Sequence, residues 1–143
     1  MEVLDISRIK EIRKQIKRLK DEEKKLLAPT MTDMRKVGEI VGIIKGNAKS
    51  ISSYGQSNAT TQKQAQIFII LYLYSPGTLI GDTMPAGLRN AIAKEVGASP
   101  PRISNIARDV RFLLTTYSDF REYVEYLWCE VQARLDLESS MGP

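Results

Sequence analysis

Apolar residues return at intervals of three and four through most of this chain, and proline, glycine or short polar stretches separate the runs. That rhythm puts apolar side chains on one face of a helix. The first run, Ile6, Ile9, Ile12, Ile16, Leu19 and Leu26, predicts a charged amphipathic helix over residues 5–27, with Glu23 standing where an apolar residue would complete the row. From Ile9 to Leu26 the spacing fits a heptad repeat. Ala28-Pro29-Thr30 ends the helix and marks the best domain boundary. A second run, Met34, Val37, Ile40, Val41 and Ile44, predicts a helix over residues 32–45, capped by Asp33 or Thr32. Gly38, Gly42 and Gly46 recur along one side of it, where they would let another helix approach at about 1 kcal/mol each relative to alanine. A strand through residues 39–44 is the alternative.

The stretch GNAKSISSYGQSNATTQ predicts a flexible polar loop, and it lacks the Lys-Ser/Thr ending of a phosphate loop. Lys45, Lys49 and Tyr54 are candidates there for meeting a nucleic-acid backbone. Thr61 with Gln64 forms a capping-box pattern that opens a helix running to Tyr74, where Ser75-Pro76-Gly77 stops it. Its run IFIILYLY is too short to cross a bilayer and predicts the most buried helix of the core, with Tyr72 and Tyr74 at the core edge. Thr83 is placed to cap the next helix, with Pro85 near its start. Ser118 is placed to cap a last helix over 119–137, whose stripe is Phe120, Val124, Leu127, Val131 and Leu135, widened by Tyr123 and Trp128. That much aromatic surface suggests an interface. The ending SSMGP, residues 139–143, predicts a frayed tail.

Residues 88–107, LRNAIAKEVGASPPRISNIA, are the most specific segment. Ile92 and Val96 share a helix face, Ala93 supplies a small side chain where two helices would cross, and Gly97 suits the left-handed residue that ends a helix. Ser99 is a cap whose hydroxyl is expected to accept from an unpaired amide of the next turn. Pro100 and Pro101 follow it in the first turn, where a missing amide loses nothing. Ile103, Ile106 and Val110 then form one buried stripe, which leaves Arg102, Ser104, Asn105, Arg108 and Arg111 on the outer faces.

These twenty residues resemble the helix-turn-helix superfamily of bacterial and phage DNA-binding proteins, in its three- and four-helix forms. The small residue of that pattern falls on Ala93, the turn glycine on Gly97, and the apolar positions on Ile92, Val96, Ile103 and Ile106. The resemblance implies a unit over residues 84–115 whose second helix enters the major groove. Ser99, Pro100, Arg102, Ser104, Asn105, Arg108 and Arg111 are then the DNA-facing set, with arginine suited to guanine and asparagine to adenine. The paired prolines are a departure that shifts base readout toward Arg102, Ser104, Asn105 and Arg108. The order of helices resembles the DNA-binding domains of sigma factors and response-regulator activators, although the connection at 75–83 is longer.

Composition narrows the function classes. The chain has 143 residues, 43% hydrophobic and 27% charged, a globular balance with room for one helical core. The fold class expected is all-α: a helix-turn-helix bundle over residues 29–138 preceded by the charged helix of residues 1–28. The net charge of +4 suits an anionic partner. Residues 1–58 carry thirteen Lys or Arg against eight Asp or Glu, so the basic surplus lies mainly outside the helix-turn-helix. Nine of the basic residues fall between positions 8 and 25. This helix is expected to pack on its own domain or to pair with a second copy, ahead of phosphate tracking or binding to a membrane surface.

There is no histidine, and Cys129 is the one cysteine. Disulfide frameworks and the usual zinc sites are thereby excluded, and no metal or cofactor is expected. Cys129 is expected to be a buried, unreactive thiol in a reducing cytoplasm. No secretory signal or membrane span is visible. Carboxylate pairs such as Glu122 with Glu125 are the remaining enzymatic candidates and read as solvated charges. The expected function is sequence-specific binding of double-stranded DNA by a homo-oligomer, as a transcriptional regulator or a phage or mobile-element protein. A terminase small subunit-like packaging protein and a purely structural helical oligomer are the alternatives.

Overall fold

The computed structural model describes residues 2–48 and 59–141. It contains α1 (Val3–Leu27), a tight 3₁₀ turn (Met34–Lys36), α2 (Val37–Ala48), α3 (Ala59–Tyr74), a second 3₁₀ segment (Pro76–Ile80), α4 (Ala86–Val96), α5 (Pro100–Thr116) and α6 (Ser118–Met141). Among the described residues there is no strand, so the fold is all-α. The alternative of a strand at 39–44 is set aside: Val37, Ile40, Val41 and Ile44 are all buried, which needs a helical period. No described helix is long and apolar enough to cross a membrane.

α3 is the axis of the body. Ala65, Ile67, Ile69, Ile70, Leu71, Leu73 and Tyr74 are all buried, on several sides of the helix rather than along one stripe, because α2, α4, α5 and α6 pack around it. α2 also packs on α4 and α6, closing the ring. Facing α3 are Leu88 and Ile92 from α4, Ile103, Ile106 and Val110 from α5, and Phe120, Tyr123, Val124, Leu127 and Val131 from α6, one continuous apolar cluster.

α1 meets the second 3₁₀ segment but has no buried residue along its 25 positions. Beyond Leu27 the chain turns at Ala28 (φ −64°, ψ 128°) and is fastened to the body by hydrogen bonds to the end of α3 and by Met31, which packs against the core. The carbonyl of Leu73, at the end of α3, takes both the Thr30 and the Met31 amides, at 2.8 and 3.0 Å. Asp33 caps the following turn: its carboxylate accepts from the Arg35 amide and, at 3.1 Å, from the Arg35 guanidinium, which lowers its pKa.

Several local expectations are corrected. α3 begins at Ala59, so Thr61 lies inside the first turn and not at the cap. The cap of α4 is Pro85 and forms no side-chain bond, so Thr83 does not cap it. α6 starts at Ser118 itself, with Tyr117 alone between it and α5, and continues through Met141, into the segment predicted to fray. Cys129 is exposed: the stripe of Val124, Leu127 and Val131 points the intervening thiol outward. Tyr72 is 47% exposed, its ring edge-on to Trp128 with centroids 5.0 Å apart. Of the three glycines in α2, only Gly38 serves close approach, because a Cβ there would meet the Glu95 carboxylate of α4 at 2.8 Å, whereas Gly42 and Gly46 face open space. Lys49, Tyr54 and most of the polar loop lie outside the described residues.

Candidate nucleic-acid interface

α4 ends as its sequence predicts. Gly97 adopts φ 73°, ψ 44°, the left-handed region, and its amide donates to the carbonyl of Ala93 at 3.0 Å. The Ala98 amide donates to the same carbonyl at 3.1 Å, so one oxygen closes the helix end. Ala93 is buried at this crossing. Ser99 then occupies the cap of α5, with Pro100 and Pro101 as the first two helical residues.

The expected side-chain cap at Ser99 does not form. The two prolines remove two of the four amides that a helix start normally offers, and the Ile103 amide is taken by the Ser99 carbonyl at 3.1 Å. The same deletion weakens this helix start as an anion site, since backbone N–H groups are what hold phosphates at such ends. Anion contacts at this end therefore fall to side chains.

Burial divides α5 cleanly. Ile103, Ile106, Ala107 and Val110 are buried, while Ser99, Pro101, Arg102, Asn105, Arg108, Asp109 and Phe112 are exposed. Pro100, Ser104 and Arg111 are half-buried. At about 100° per residue, Asn105, Arg108 and Phe112 lie near the middle of the outward arc, with Arg102 on one flank and Ser104 and Arg111 on the other. The seven sequence-predicted residues thus do not form one patch. Phe112, 60% exposed with its ring 6.3 Å from that of Tyr117, limits the polar part of the arc to the first three turns.

Two of the central side chains are joined. The Arg108 guanidinium donates to the Asn105 amide oxygen at 2.6 Å. An asparagine reads adenine with its oxygen and nitrogen together, so in this arrangement Asn105 is occupied as a prop for Arg108, and Arg108 keeps donors for a further acceptor.

The other flank borders a hollow of about 230 Å³ between α5 and the segment before α4, lined by Thr78, Asp82, Thr83, Met84, Ser104, Ala107, Arg108 and Arg111. Gly81 sits at its edge in a left-handed conformation (φ 116°), and the Arg111 guanidinium lies across it, 3.1 Å from where a Cβ would stand. Arg111 is therefore laid against the chain's own turn and not directed outward with Arg102. Asp82 turns back, its amide donating to the Gly77 carbonyl at 3.0 Å, and brings a carboxylate to the same hollow. Sequence spacing gives no sign of this wall: Thr78 and Asp82 are more than twenty residues from Ser104 and Arg108, and no periodicity links them.

The arrangement offers cationic and amide donors on an open helix face and one mixed-charge hollow beside it. Among the described residues, no group of three His, Cys, Asp or Glu side chains could hold a metal ion. No family model, curated protein or solved structure matches this chain.

Proposed function

We propose that this protein binds double-stranded DNA sequence-specifically through α5, with α4 and the Gly97 turn holding that helix at the surface. The observation that carries the reading is the split of α5 into a fully apolar buried side and an outward side bearing Arg102, Asn105 and Arg108 over its first three turns. Arginine presents a fork of donors that matches the O6 and N7 acceptors of guanine, and an exposed helix face fits the width of the major groove. Arg108, steadied by Asn105, is the leading base-reading side chain, and Arg102 reaches from the flank. Arg111 is assigned to phosphate or to holding the Gly81 turn, since its guanidinium lies along that turn. The reduced set of backbone amides at the start of α5 makes the protein depend on side-chain charge for phosphate contact.

The test begins with selection of bound duplexes from a random pool. Arg102→Ala combined with Arg108→Ala is expected to weaken binding to the selected duplex by tenfold or more, because a good bidentate base contact contributes about 1–3 kcal/mol. The helical circular dichroism is expected to stay unchanged, since both side chains are exposed. Equal affinity of the double variant and the parent chain rules the proposal out, and a failure to select any duplex leaves a helical scaffold without this activity.

A further inference from the structure

The row of apolar side chains on α1 is uncovered. Ile6, Ile9, Ile12, Ile16 and Leu19 are between 40 and 57% exposed and Leu26 is 80% exposed, so the helix does not bury this row on its own body. Packing of an apolar face is what ordinarily supplies most of a helix's stability in a protein. Sequence alone left two coverings open, the chain's own domain or a second copy, and the structure removes the first.

We propose that α1 pairs with α1 of a second copy of this chain, and that the two helices run antiparallel. With Ile9, Ile16 and Glu23 at the first apolar position of each heptad and Ile12, Leu19 and Leu26 at the second, a parallel pair faces each residue with itself. Glu23 would then lie against the partner's Glu23 inside the seam, a like-charge contact in a drying environment. Residues 8–18, with Arg8, Lys10, Arg13, Lys14, Lys17 and Arg18 against Glu11, would also lie against their own copy.

Reversing one helix relieves both conflicts in a single register, in which only Lys10 with the partner's Lys25 and Lys17 with the partner's Arg18 remain level with a like charge, at positions outside the seam. Ile9 meets the partner's Leu26, Ile12 meets the partner's Glu23, and Ile16 meets the partner's Leu19, with the two-fold axis between Lys17 and Arg18. Each Glu23 now borders an aliphatic side chain, and the acidic run Asp21-Glu22-Glu23 comes abreast of the partner's Arg13 and Lys14. The charge asymmetry along α1, basic for its first two thirds and acidic near residue 22, is complementary to itself only in this direction. The pairing is independent of whether α5 binds DNA.

The test uses the full chain carrying Cys129→Ser, so that no native thiol interferes. Ile9→Cys and Leu26→Cys are made separately and oxidised alone and mixed. In the antiparallel register each introduced thiol lies about 26 Å along the axis from its own copy, too far to bridge, while position 9 faces position 26. A disulfide dimer only in the mixture is the expected result. Self-linked dimers from each variant alone overturn the orientation. Sedimentation equilibrium over the micromolar range supplies the second readout: the parent chain is expected to be a dimer, and Ile12→Glu with Ile16→Glu a monomer with unchanged unfolding of the body, since no α1 residue is buried in it. A monomeric parent, or a dimer that survives the two glutamates, overturns the pairing itself.

Discussion

Gly97 and Gly42 show how one residue type has opposite value at two places in the chain. Gly97 is left-handed (φ 73°) with open space where a Cβ would stand, so its requirement is purely a matter of backbone conformation. Gly97→Ala is expected to destabilise the protein by about 1 kcal/mol, read as a lower thermal midpoint. Gly42 lies within α2 with nothing within 4 Å of where a methyl group would stand, so Gly42→Ala is expected to stabilise by about 0.5–1 kcal/mol by removing backbone freedom from the unfolded chain. A loss of stability at Gly42 would show that α2 is not the helix described. Both conformations were legible, Gly97 because the turn chemistry is local and the α2 helix because its apolar spacing is periodic. The exposure of Cys129 was not, because its apolar neighbours in sequence, Leu127 and Val131, sit on a different face of the helix.

At the scale of elements, the junction between α3 and the segment after α1 rests on Tyr74. Its phenol donates to the Asp33 carbonyl at 2.6 Å, and its pKa is pushed up to about 12, first by burial and then by the charges of Asp33 and Glu39. The fold therefore favours the neutral phenol. Its contribution is complete below pH 10, where the unfolded tyrosine is also protonated, and is lost as pH rises from 10 through about 12. Urea midpoints measured below pH 10 and near pH 12 are expected to fall further for the parent chain than for Tyr74→Phe. Burial also raises the Tyr123 pKa, but that residue is common to both proteins and cancels in the comparison. An equal fall in both would remove Tyr74 from the account. The existence and order of the helices were readable from spacing, and their starts were less so. Thr61, Thr83 and Ser118 have the chemistry of caps, yet α3 begins two residues before Thr61, α4 three residues after Thr83 and α6 at Ser118 itself, since cap chemistry marks a helix start only to within a few residues.

For the whole molecule, charge and core lie in different places. Residues 1–28 hold nine Lys or Arg against six Asp or Glu, while the remainder holds twelve against eleven, so most of the net charge rides on a helix that contributes nothing to the core. If DNA lies on α5, the outward lysines of α1 supply sequence-independent attraction. Replacing Lys10, Lys17 and Lys24 by glutamine, away from the apolar seam, is expected to flatten the dependence of log affinity on log salt by about 0.9 for each phosphate no longer neutralised, with the preferred sequence unchanged. An unaltered slope would confine the electrostatic attraction to the body. The mixed-charge hollow beside α5 is the part of the candidate site that no local pattern announced, because Asp82 and Arg108 come to line it together only through tertiary packing.

One oxygen has a mechanical role beyond hydrogen bonding. Because the Thr30 and Met31 amides both end on the Leu73 carbonyl, and the next residue of α3, Tyr74, holds the Asp33 carbonyl, the N-terminal arm is leashed to the tip of the innermost helix at adjoining points. Such a joint transmits pulling along the arm directly to the end of α3. Two bodies tethered through their arms would then keep a reach set by the length of α1, with any strain on the tether borne at the tip of each α3 and not by the apolar interior.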